Sequence, residues 1–131
     1  MGLSRGANPS RLFVYGTLRR GFVNPYARYL AEHAAWLGAA RLAGRLYDLG
    51  RYPGLRRSSG PRDWVTGELY RLRETPALLK VLDEYEGRDF QRVVAIARRA
   101  GRPSVKTWVY EYRPRVSETR RIVSGDWRLH S

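Results

Sequence analysis

FVYGTLRRG, residues 13–21, reads as the end of a buried strand that runs into a loop of backbone donors. Leu12, Phe13 and Val14 form a short apolar run closed by Gly16, so Arg11–Tyr15 is expected as the first strand. A glycine at this junction lets successive N–H groups face one concavity, an arrangement that binds carboxylates or oxyanions. Gly16 and Gly21 have the spacing of a phosphate loop, but Phe22 stands where the lysine of such a loop is required. Taken alone, Tyr15-Gly16-Thr17-Leu18 also fits a plain strand-to-turn junction.

Working outward, Asn24-Pro25 has the form of a helix start, and Tyr26, Tyr29, Leu30 and His33 follow at helical spacing. Trp36 to Leu49 mixes small, branched and aromatic residues with glycines at 38 and 44, which suits a bent strand. Residues 51–63, RYPGLRRSSGPRD, read as a surface loop. Trp64–Leu72 alternates cleanly, and Arg92–Ala97 and Val105–Tyr112 read as further strands, the last with Trp108, Tyr110 and Tyr112 on one face. An arginine-rich tail follows, ending at Gly125-Asp126-Trp127. Many short strands with two inserted helices predict an α+β domain over residues 1–131, a small mixed curled or closed β-barrel with flanking helices. Residues 1–10 are expected to be a loose amino terminus. Alternating βαβ units, and with them a Rossmann-type sheet, are not seen.

Composition narrows the chemistry. The 131-residue chain has no cysteine, which removes thiol nucleophiles, thiolate metal sites and disulfides together. His33 and His130 are its only histidines and form no local metal motif, so neither a metal nor another cofactor is expected. No G-x-S-x-G elbow is present, which argues against a serine hydrolase. No uninterrupted apolar stretch is long enough to span a bilayer, and residues 1–10 have no signal-peptide pattern, so the expected location is cytoplasmic. Twenty-five basic against twelve acidic residues give a net charge of +13. The arginines are scattered rather than blocked, so nucleic acid is not the expected partner. A basic surface would attract acidic small molecules instead.

LDEYEGRDFQR, residues 82–92, carries the candidate acid. Thr75-Pro76 opens a helix and Gly87 closes it where a left-handed residue is wanted. With Leu78 at zero and steps of about 100°, Leu79, Val81, Leu82 and Tyr85 form one apolar arc and Glu86 falls inside it, at about 80°. Asp83 lies on the rim of that arc and Glu84 on the opposite side. An inward carboxylate at the negative end of a helix dipole is doubly disfavoured as an anion, which moves it toward the range useful for proton transfer. The alternative is that the last turn frays and Glu86 pairs with Arg88 or Arg92. Periodicity does not choose between them.

FVYGTLRRG, LYDLGRYPGL, VTGELYRL, LDEYEG and SGDW occur in this order from Leu12 to Trp127. Together they resemble the gamma-glutamylcyclotransferase-like superfamily in its small, single-domain form. The resemblance implies a small mixed barrel and an enzyme that cyclises a γ-glutamyl group to 5-oxoproline, releasing an amine or amino acid. It implies that Tyr15, Gly16, Thr17 and Leu18 cradle the glutamyl head group and that Glu86 is the catalytic acid/base. The loop containing Gly50, Tyr52 and Pro53 would be a second wall of the pocket. Phe90 departs from the tyrosine the family often has near this position. By charge, and apart from the resemblance, Arg19, Arg20, Arg51 and Arg56 would favour an acidic leaving group. Two other readings stand beside this one: a non-catalytic small-molecule binding module on the same fold, and a basic nucleic-acid-associated protein.

Overall fold

The computed structural model describes residues 9–73 and 75–130, so the loose amino terminus expected over residues 1–10 falls almost wholly outside it. In chain order the elements are β1 (Arg11–Val14), α1 (Pro25–His33), β2 (Ala34–Asp48), β3 (Pro53–Arg57), β4 (Trp64–Leu72), α2 (Thr75–Glu86), β5 (Phe90–Arg98), β6 (Val105–Tyr112) and β7 (Arg121–Ile122). Two single-turn 3-10 helices, Glu118–Arg120 and Trp127–Leu129, flank β7.

Five strands close a ring in the order β1–β4–β2–β5–β6 and back to β1. The contacts around it are antiparallel except the closing one, where Leu12 of β1 pairs in parallel with Trp108 of β6. The long β2 makes closure possible. Its first ten residues pair with β4, and its second half turns away to meet β3, β5 and β7. A register shift between Trp36 and Gly38 marks a bulge in the first part of β2, the bend that the glycines in this segment predict. Of the curled or closed mixed barrel expected from the sequence, the closed form is the fold observed.

Two buried layers explain why β1 is apolar without alternation. Phe13 and Tyr15 face the barrel interior with Leu42, Leu55, Val65, Leu69 and Val109. Leu12 and Val14 face outward, beneath Leu30 of α1 and Leu78, Leu79 and Leu82 of α2. A strand covered on both faces reads as a continuous hydrophobic run. At α1 the Asn24 side chain accepts from the Ala27 N–H at 2.8 Å, the cap its sequence predicts.

One loop is instead a strand. Pro53–Arg57 of the predicted surface loop forms β3, with Pro53, Gly54 and Leu55 buried. Proline, glycine and paired arginines carry no strand signal. The strand exists because β2 and β6 offer it partners on both sides, Leu46 opposite Leu55 and Leu55 beside Glu111. Proline is tolerated because it takes the first position.

Gly87 ends α2 with φ +80°, its N–H bonded to the Asp83 carbonyl at 3.1 Å. A Cβ there would meet nothing within 4 Å, so only the backbone conformation disfavours a side chain. Gly87→Ala is therefore expected to cost about 1 kcal/mol in urea unfolding, the ordinary penalty of a left-handed alanine.

Candidate active site

A cavity of about 120 Å³ opens where β1 ends, β3 begins and α2 stops. One wall is the loop Tyr15–Leu18, above Phe13 and Val14. The facing side is Tyr52 and Pro53, and the third is Tyr85, Glu86, Phe90 and Tyr110. Residues as far apart in sequence as Phe13 and Tyr110 are thus brought to one place.

Three features hold the loop. Gly16 is pressed against Pro53: a Cβ on Gly16 would lie 2.9 Å from the proline ring, so only glycine allows the two walls to approach this closely. Tyr15 is buried, donates to the Tyr110 carbonyl at 2.7 Å and accepts from the Leu55 N–H at 3.2 Å, tying β1 to β6 and β3. The Asn24 side-chain amide, besides capping α1, donates to the Thr17 carbonyl at 2.8 Å. Among the described residues, no acceptor is found for the N–H groups of Gly16, Thr17 or Leu18.

Beneath the loop lies a charge network that no local sequence pattern signals. Glu68 of β4 is buried and accepts from the Arg20 N–H at 2.8 Å and from Arg19 Nε and Trp36 Nε1, each at 3.3 Å. Arg19 is itself 6% exposed and reaches Asp126 at 2.8 Å. Asp126 also caps the last 3-10 turn by accepting from the Arg128 N–H at 2.9 Å. The residues after the loop are thereby clamped to the barrel by three side chains, two of them acidic.

Glu86 sits at the end of α2 and lines the cavity. Among the described residues it makes no ion pair. Neither partner of the fraying alternative is taken. Arg88 is exposed and enters no ion pair among the described residues. Arg92 is engaged by Asp83 at 2.9 and 3.2 Å, while Asp83 also accepts from the Tyr110 hydroxyl at 2.6 Å. Burial, with a smaller push from the Asp83 charge, raises the Glu86 carboxyl from its ordinary 4.5 to about 7. Burial likewise raises Tyr15, Tyr85 and Tyr110 above their ordinary value, so all three phenols remain protonated at neutral pH.

Two expectations need correction. Gly50 is not part of the second wall. The Leu49 N–H bonds to the Tyr52 carbonyl at 3.0 Å and leaves Gly50 exposed at the tip of the turn, while Tyr52 and Pro53 do line the cavity. The arginines cited for an acidic leaving group also lie elsewhere. Arg19 is internally paired, Arg20 covers the Trp36 ring at 4.4 Å, and one Arg56 nitrogen donates to the carbonyls of Tyr112, Arg113 and Pro114. Neither these nor Arg51 lines the cavity. Conversely, Tyr85 and Tyr110 line it without having been singled out. The Tyr85 hydroxyl lies 2.7 Å from Thr17 Oγ1. Tyr85 belongs to the same inward arc as Glu86, and that was the available signal; Tyr110 looks in sequence like any strand aromatic.

The family model for gamma-glutamyl cyclotransferase, AIG2-like, matches residues 12–129. The chain belongs to the AIG2-like gamma-glutamyl cyclotransferase family, a family of enzymes. Within it, a Vibrio cholerae protein that carries the provisional name gamma-glutamylcyclotransferase is 37% identical over 123 residues, covering 88% of this chain and 93% of its own. Gamma-L-glutamyl-butirosin B gamma-glutamyl cyclotransferase of Niallia circulans is 35% identical over 127 residues, covering 91% of this chain and 76% of its own. Among solved structures, YkqA of Bacillus subtilis superposes with a TM-score of 0.73 at 25% identity over 94% of this chain, which spans only 41% of YkqA. The mixed barrel and its two helices are thus the family's architecture. No helix among the described residues is long and apolar enough to cross a membrane.

Proposed function

We propose that this family member cyclises a γ-glutamyl substrate to 5-oxoproline in the cytoplasm, with Glu86 as the acid/base. One observation carries the reading: among the described residues Glu86 is the single charged residue lining the cavity and enters no ion pair, and its carboxyl is raised to about 7. The substrate's α-amine attacks its own γ-carbonyl carbon, forming the lactam C–N bond, and the amide bond to the leaving amine breaks. The attacking nitrogen loses a proton and the leaving nitrogen gains one. A single carboxyl between them takes the first and delivers the second, so no protein nucleophile is needed. That suits a chain without cysteine. The free N–H groups of Gly16, Thr17 and Leu18 supply donors for the head-group carboxylate and for the developing oxyanion. Tyr52, Pro53 and Phe90 close the cavity around the ring-forming atoms, and that confinement supplies the entropic part of the acceleration.

The assay is 5-oxoproline release, by mass spectrometry, from a panel of γ-glutamyl dipeptides and γ-glutamylamines. Product from any member supports the reaction, and silence across the panel overturns it. The pH dependence has a definite sign. Glu86 must be ionised to accept the amine proton, so kcat/KM should be half-maximal near pH 7, level off about one unit above it, and fall about tenfold per pH unit well below it.

A further inference from the structure

At the opposite end of β5 from Phe90 lies a second groove, of about 460 Å³, with four arginines and no acid in its lining: Arg41, Arg98, Arg99 and Arg102. A strand rising about 3.3 Å per residue places the two ends of β5 roughly 26 Å apart. The groove and the active-site cavity share no lining residue.

Local rules are broken here. Arg41 and Arg98 are direct register partners across β2 and β5, a placement that sets like charges face to face. Both guanidiniums lie against the Trp64 ring, at 4.3 and 5.5 Å, which holds them in position but leaves their charge uncompensated. The Arg99 Nε is buried and has no hydrogen-bond partner among the described residues. None of the four enters an ion pair among the described residues, and no acid lines the groove to neutralise them. Residues that break local rules without compensation mark functional sites more often than scaffold. Unpaired, planar, multidentate donors around one groove match tetrahedral oxyanions better than single carboxylates.

We propose that this groove binds a phosphate-bearing anion, at a site separate from the active site. The ligand's phosphoryl oxygens take the place of the missing carboxylates: Arg41 and Arg98 clamp from the two strands, and Arg99 and Arg102 close from the turn. The same chemistry occurs in a free diphosphate and in a nucleic-acid backbone, and the test separates them. The protein, labelled with nitrogen-15, is titrated at physiological salt with inorganic pyrophosphate and, separately, with a short oligodeoxythymidylate, following arginine Nε–H and tryptophan indole resonances. Saturable shifts confined to Arg41, Arg98, Arg99, Arg102 and Trp64 are expected. With pyrophosphate they identify a free-anion site, and with the oligonucleotide alone a phosphodiester site. The double variant Arg98→Ser/Arg102→Ser, both exposed positions, should bind about tenfold more weakly with unchanged circular dichroism. Arg99→Lys, which keeps the charge and loses the fork, should also bind more weakly. Shifts spread over all surface arginines without saturation, no shifts, or equal binding by the variants would overturn the proposal.

Discussion

Glu86→Gln is expected to lower 5-oxoproline formation by about 10²–10⁴-fold, the usual contribution of a positioned general acid/base. The amide fills the same space in the cavity, so the loss falls on kcat more than on KM, and the limb below pH 7 disappears from the residual activity. The same variant should become more stable in alkaline solution. The Glu86 carboxyl, ordinarily near 4.5, rises to about 7 in the fold. Between those values the folded protein keeps a proton that the unfolded chain has released. Stability therefore falls as pH rises through the window and stays lower above it. At about 1.4 kcal/mol per pH unit the full difference is up to about 3 kcal/mol. Glutamine has no proton to release. Urea unfolding should thus show the variant ahead of the parent at pH 8 and level with it at pH 4. Unchanged turnover would remove Glu86 from the mechanism. Lost turnover without the alkaline gain in stability would mean that its carboxyl is not held in the raised state.

Glu68→Ala should produce the largest loss of stability, about 3–5 kcal/mol, because it leaves the Arg19 guanidinium buried with one acidic partner instead of two. It also removes the acceptor for the Arg20 N–H and for Trp36 Nε1. Arg20 lies just beyond the loop that walls the cavity, so KM should rise in whatever fraction remains folded. Breaking a buried ion pair costs more than replacing it whole. Glu68→Leu combined with Arg19→Met removes both charges, leaving Asp126 its bond from the Arg128 N–H but the Arg20 N–H without an acceptor. It should accordingly recover part of the stability lost by Glu68→Ala, in denaturant unfolding followed by tryptophan fluorescence. A double variant no more stable than the single one would show that the network stabilises through more than its charge balance.

This network also explains motifs that the sequence presents without a reason. Glu68 belongs to VTGELYRL, Arg19 to FVYGTLRRG and Asp126 to SGDW, and they meet in one clamp below the active-site loop. Gly125, beside Asp126, donates to the Ile122 carbonyl at 3.0 Å and accepts from the Thr66 N–H at 2.8 Å, so the tail is fastened to the barrel. None of these partners could be paired from spacing, since charged residues so far apart carry no mutual signal in a single chain.

What depends on neighbours along the chain is legible in the residues alone. The apolar run at Leu12–Val14, the cap at Asn24, the alternation of Trp64–Leu72 and the stop at Gly87 are local choices, and the barrel strands and both helices follow from them. The inward aim of Glu86 was also legible, because a helix turns by a fixed angle per residue and needs no partner to do so. Tertiary structure alone decided the rest. Pro53–Arg57 becomes a strand only because β2 and β6 lie ready on either side of it. Tyr110 becomes a cavity wall only because ring closure carries β6 beside β1. The choice of Asp83 rather than Glu86 as the partner of Arg92 likewise rests on where β5 passes α2. Each of these outcomes is a contact between distant segments, and its energy comes from burial and pairing that no local pattern encodes.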